Sequence, residues 1–139
     1  MQDRYVIDKS ALARWTKPSV KEVLKPLHER YLLAVCRPTE YEMIHAARDG
    51  SGATRISTWL HAFDYLGTDD DAFARALEVQ RHALNAGFHR ALSLPDLLIA
   101  ATAELNRRTI LHYDGDFDMI ASLTGQPAEW VVPPGSADQ

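Results

Sequence analysis

Five short runs of strand-forming residues, at 5–7, 32–36, 63–66, 109–113 and 128–132, alternate along the chain with stretches whose apolar residues recur at helical spacing. Strands delivered one at a time between helices build a mostly parallel sheet covered on both faces, so the expected fold is a three-layer α/β/α domain. With 139 residues the chain can bury one good core but not two. Residues 1–134 are therefore expected to form a single domain. Pro133 and Pro134 stop the last strand, and 135–139 are expected to be a flexible, frayed tail.

Local signals place the helices. Ser10 is the expected N-cap of a short helix reaching Trp15, and Val20, Val23, Leu24 and Leu27 mark a second, amphipathic one. Thr39 followed three residues on by Glu42 has the form of a capping box, opening a helix to about Arg48 that Gly50, Ser51 and Gly52 should break. Residues 53–62 read as a helix. Asp69, Asp70 and Asp71 start a long one ending at Gly87, because acids suit the positive end of the helix dipole. Ser93, Leu94, Pro95 and Asp96 form another N-terminus with proline inside the first turn. The apolar, alanine-rich helix behind it should be buried, and 116–123 form the last helix.

Acidic residues fall at telling positions in this frame. Asp8 and Asp114 each terminate an apolar strand, while Glu42 and Asp96 lie near helix starts. Parallel sheets bind ligands beyond the carboxyl ends of their strands, where these four would converge. Crowded like charges raise one another's pKa, and a divalent cation removes that penalty; oxygen-only donors favour Mg²⁺ or Mn²⁺ over zinc. Taken singly, however, Glu42 and Asp96 are also ordinary capping and dipole residues, and an acid after a strand is an ordinary turn residue. Spacing leaves both readings open.

Composition narrows the function classes. A net charge of −4 is unlike a general nucleic-acid coat, yet an enzyme can hold nucleic acid through a local basic patch and a bridging metal. Arg81, His82, His89 and Arg90 form the best such patch, next to Asp96; a solvated helix end is the plainer account of it. Cys36 is the only cysteine, which excludes an internal disulfide, and no Cys/His cluster suggests zinc. No apolar run is long enough to span a membrane, and the N-terminal residues do not resemble a secretion signal, so a cytoplasmic location is expected.

Four segments carry a resemblance: Val6-Ile7-Asp8-Lys9-Ser10-Ala11-Leu12, Thr39-Glu40-Tyr41-Glu42-Met43-Ile44, Pro95-Asp96-Leu97-Leu98-Ile99-Ala100-Ala101-Thr102-Ala103 and Tyr113-Asp114-Gly115-Asp116-Phe117. Together they resemble the PIN-domain family, and within it the toxin ribonucleases of VapBC toxin–antitoxin systems. The resemblance implies an endoribonuclease that hydrolyses RNA with Mg²⁺ or Mn²⁺. It implies metal-ligating, catalytic roles for Asp8, Glu42, Asp96 and Asp114, with Asp116 auxiliary. Ser10 matches a hydroxyl that accompanies the first acid. Lys9 stands where many members carry threonine and could face a phosphate, as could Arg90. Glu40 competes with Glu42, but two residues apart on a helix they cannot share a face. A homodimer and a VapB-like antitoxin, whose basic segment would enter the acidic groove, are also implied.

Other readings compete less well. A phosphatase with an aspartate nucleophile would have a second acid in place of Ser10, and a receiver domain needs a late lysine, whereas none follows Lys25. A non-catalytic PIN-like binding module is disfavoured by the presence of all four acids. His112 is expected to be a packed strand histidine rather than a proton donor, and Cys36 a core residue. His45, one turn beyond Glu42, forms only a weak metal pattern. The tryptophans Trp15, Trp59 and Trp130 look too scattered for base stacking.

Overall fold

A computed structural model describes residues 3–87 and 92–138. Five strands form one sheet in the order β3-β2-β1-β4-β5, and every pairing is parallel. The elements run β1 (Tyr5–Ile7), α1 (Lys9–Leu12), α2 (Pro18–Glu29), β2 (Leu33–Cys36), α3 (Arg37–His45), α4 (Gly50–Leu60), β3 (Asp64–Leu66), α5 (Asp70–Ala86), α6 (Leu94–Leu105), β4 (Thr109–His112), α7 (Asp116–Thr124) and β5 (Ala128–Trp130).

The three layers follow from the two-residue period of a strand. Val6, Ala34, Cys36 and Ile110 face a core shared with α5, α6 and α7. Their neighbours Ile7, Leu33, Val35 and Leu111 face a second core with α1, α2 and α4. Alternate residues on both sides are apolar because both sides are covered. The buried α6 packs Leu97, Ile99, Ala100, Ala101 and Ala103 into the first core. Gly87, at φ +89°, closes α5 in the left-handed conformation that favours glycine.

Several local expectations give way to tertiary structure. Helix α1 is capped by Asp8, not Ser10, which lies inside the helix. Helix α3 begins at Arg37, two residues before Thr39, because Pro38 fits the first turn; Thr39 is buried against Cys36 and there is no capping box. The helix ends at His45, short of Arg48. Gly50, Ser51 and Gly52 do not interrupt helical structure but form the first turn of α4, since the Asp49 carboxylate accepts the Gly52 N–H at 2.8 Å. Strand β5 stops at Trp130, although Val131 and Val132 remain in the core.

Two residues of the C-terminal segment, Ala137 and Asp138, make contacts with the domain. Ala137 is 3% exposed, its N–H donates to the Tyr113 hydroxyl (2.9 Å), and that hydroxyl donates to Asp138 (2.7 Å). Trp15 and Trp59 meet edge to face at 5.6 Å beside Phe63, an aromatic cluster within the second core, while Trp130 packs on His112. No helix is long and apolar enough to cross a membrane among the described residues.

Candidate metal centre

The carboxyl ends of β1 and β4 open into a polar groove of about 430 Å³. Strand β1 ends where its apolar face ends, and Asp8 follows as the cap of α1. Asp8 is 2% exposed. Its Oδ2 accepts the Ser10 N–H at 3.0 Å and the Ser10 hydroxyl at 2.6 Å, and Ser10 Oγ in turn accepts the Tyr113 N–H at 2.8 Å. Ser10 thus ties the ends of the two central strands to one carboxylate oxygen. The other oxygen, Oδ1, is buried with no hydrogen-bond partner. Burial pushes the Asp8 pKa up, against the hydrogen bonds from Ser10 and with help from the Asp114 charge.

Asp96 is brought in by α6. Ser93 caps that helix by accepting the Asp96 N–H at 3.2 Å, which leaves the Asp96 side chain, 5% exposed, pointing into the groove wall. Burial first, then the Asp8, Asp114 and Glu42 charges, raise its pKa to about 7. Asp114 leaves β4 with its N–H donated to His112 Nδ1 (3.1 Å), and its Oδ1 accepts the Asp116 N–H at 3.0 Å. Burial and then Asp114 raise the Asp116 pKa.

On α3 the two glutamates diverge. Glu42 lines the groove; its Oε1 is buried without a partner, and burial followed by the Asp8 charge raises its pKa. Glu40, 8% exposed, turns the other way and accepts hydrogen bonds from Ser57 (2.8 Å), Tyr65 and Arg37. Burial would raise the Glu40 pKa, but these donors hold it below the ordinary value.

Donor oxygens of Asp8, Glu42 and Asp96 lie within 4.8 Å of one another, and so do those of Asp96, Asp114 and Asp116. Asp96 belongs to both triads. All donors are carboxylate oxygens, and two buried oxygens lack any partner, so the residues present fit a hard divalent cation.

The remaining candidates separate. Ser10 and Lys9 line the groove. Arg90 and His89 lie outside the described residues, and Arg81 and His82 are exposed on α5. His45 is exposed and joins no acidic group among the described residues. His112 is fully buried against Phe117 and Trp130, and burial lowers its pKa. Arg14 and Tyr113 also line the groove, and nothing in the sequence patterns singled them out. The only available hints were the one-turn spacing of Arg14 from Ser10 and the place of Tyr113 beside Asp114.

A family profile described as PIN domain matches residues 5–123. Ribonuclease VapC21 of Mycobacterium tuberculosis is 44% identical over 138 residues, covering 99% of this chain and 100% of that protein. Ribonuclease VapC51 of the same organism is 39% identical over 135 residues, covering 97% and 98%. In fold, the chain is similar to a protein in the crystal structure of DNA-bound VapBC from Salmonella typhimurium, with a TM-score of 0.74 at 14% identity over 94% of this chain and 100% of that one. By sequence and by architecture, the chain belongs to the PIN-domain family and, within it, to the VapC ribonucleases.

Proposed function

We propose that the chain is a Mg²⁺- or Mn²⁺-dependent endoribonuclease and the toxin of a type II toxin–antitoxin system. The observation that carries this reading is the pair of acidic triads sharing Asp96, with buried carboxylate oxygens that no protein donor satisfies. Asp8, Glu42, Asp96 and Asp114 would hold the cation, with Asp116 supporting from the rim. A bound divalent cation supplies Lewis acidity that activates an attacking water and offsets charge developing on the scissile phosphate. Ser10 holds Asp8 in place through one oxygen and leaves the other free for the metal. Lys9 lines the same groove and suits a phosphate oxygen of the substrate, a role that Arg90 would share.

The similarity to VapC ribonucleases supports RNA as the substrate and a VapB-like antitoxin as the partner, its basic segment drawn to a groove of five carboxylates. Tyr41, Phe73, Leu77 and Leu94 are each at least half exposed, an apolar surface that supports self-association as a homodimer.

Cleavage of RNA in Mg²⁺, in EDTA, and by Asp8→Asn tests the assignment. The wild type should cleave only with metal. Asp8→Asn should be inactive, at least as stable as wild type, and should gain less thermal stability from Mg²⁺. A metal-bound protein that never cleaves RNA would instead be a non-catalytic binding module.

A further inference from the structure

The groove that takes the metal is far more acidic than its substrate would tolerate. Five carboxylates line it against two cations, Lys9 and Arg14. RNA adds a phosphate charge at every nucleotide, so the phosphates beside the scissile one need fixed positive charge that the metal, committed to the reacting group, does not supply. Arg14 has the attributes for that role. Its Nε donates to the Ala137 carbonyl (2.9 Å), its Nη1 donates to the Ser10 carbonyl (2.8 Å), and its guanidinium lies 4.4 Å over the Tyr113 ring. Both acceptors are neutral, and Arg14 forms no ion pair among the described residues, so its charge is held but not cancelled. Nη2 carries no hydrogen bond among the described residues and is not buried. Stacking and two hydrogen bonds have already removed most of the rotamer freedom an arginine loses on binding, and the guanidinium fork suits a phosphate.

We propose that Arg14 is a substrate-binding residue that holds an RNA phosphate next to the scissile one. This rests on the ribonuclease reading and adds to it the residue that fixes the strand's path across the groove, over the Tyr113 side. The docked C-terminal segment then acts as a brace, because the Ala137 carbonyl fixes the guanidinium from behind.

Binding of a fluorescein-labelled single-stranded RNA is measured by anisotropy in Ca²⁺ over a range of KCl concentrations. The proteins are wild type, Arg14→Gln, Arg14→Lys and a chain ending at Ser136. Arg14→Gln should bind on the order of tenfold more weakly, with a salt slope smaller by about 0.7, the value of one single-strand phosphate contact. Arg14→Lys should keep the slope. The shortened chain loses the brace but keeps the charge, and should retain the wild-type slope. In Mg²⁺, Arg14→Gln should raise KM for cleavage and leave kcat nearly unchanged. Wild-type affinity and slope in Arg14→Gln would overturn the proposal. So would an equal loss in the shortened chain, which would assign Arg14 to holding the tail. Failure of the wild type to bind RNA would remove the ribonuclease reading itself, and this proposal with it.

Discussion

Replacing Asp96 by asparagine removes a charge that the metal-free fold holds at a cost. Asp96 is 5% exposed and faces Asp8, Asp114 and Glu42, and its pKa rises from 3.8 to about 7, burial being the larger cause. A carboxyl group whose folded pKa lies above its unfolded one binds protons more tightly in the fold. Its stabilising contribution is complete below about pH 3.8, declines through the interval, and is lost above pH 7. The gap corresponds to about 4 kcal/mol. Asparagine carries none of this pH dependence. It does forfeit the favourable placement of a carboxylate at the start of α6, worth up to about 1 kcal/mol at high pH. In EDTA at pH 8, Asp96→Asn should therefore be about 3 kcal/mol more stable than wild type, a Tm increase on the order of 10 °C. At pH 4 the two should unfold together. Saturating Mg²⁺ should close the gap at pH 8, because a ligand at a hundred times its Kd adds about 2.7 kcal/mol to the protein that binds it and little to the variant. Urea unfolding at the two pH values, with EDTA or Mg²⁺, reads every term. If Asp96→Asn gains nothing at pH 8, or gains equally at pH 4, the carboxylate is not electrostatically strained.

The two glutamates of α3 should separate cleanly. Glu42→Gln should abolish RNA cleavage and leave the urea midpoint equal or higher, whereas Glu40→Gln should cost about 1–3 kcal/mol by disturbing its bonds to Ser57 and Tyr65 while cleavage persists. Tyr113→Phe removes the hydroxyl that ties down Ala137 and Asp138; it should cost about 1–2 kcal/mol and accelerate amide exchange at Ala137. Phe73→Glu places a charge in the exposed apolar surface, and sedimentation should show it shifting the protein from dimer towards monomer without loss of helical circular dichroism.

The fold was legible because its signals are local and repeated. Each strand run is short and rich in strand-forming residues, and each but the last is followed by a helix, so parallel order and two-sided cover follow from pattern alone. What was misread lies at element ends, where tertiary contacts decide. Thr39 has the chemistry of a cap, but Pro38 starts α3 earlier and the hydroxyl is buried against Cys36. Gly50 and Gly52 look like a break, yet the single hydrogen bond that the Gly52 N–H donates to the Asp49 carboxylate suffices to start α4 through them. The contacts of Ala137 are not legible in the sequence, because Arg14 and Tyr113 are 123 and 24 residues away and no local pattern announces them.

The site shows the same division. Asp8, Asp96 and Asp114 could be nominated because strand ends and helix starts are visible in sequence, and the topology carries them to one edge. Glu42 against Glu40 is harder, since any helix separates residues two apart but sequence does not say which face looks inward. The partners of Glu40 decide which face it takes: Ser57 and Tyr65 lie 17 and 25 residues away, and together they give each oxygen of its carboxylate a donor. Glu42, on the opposite face, is left with a buried oxygen and no donor. A fold that satisfies Glu40 so fully has the means to satisfy carboxylates. That it leaves oxygens of Asp8 and Glu42 unpaired beside Asp96 is the strongest physical reason to expect a cation among them, since an orphaned buried oxygen costs about 1–3 kcal/mol and a divalent cation would offset that cost.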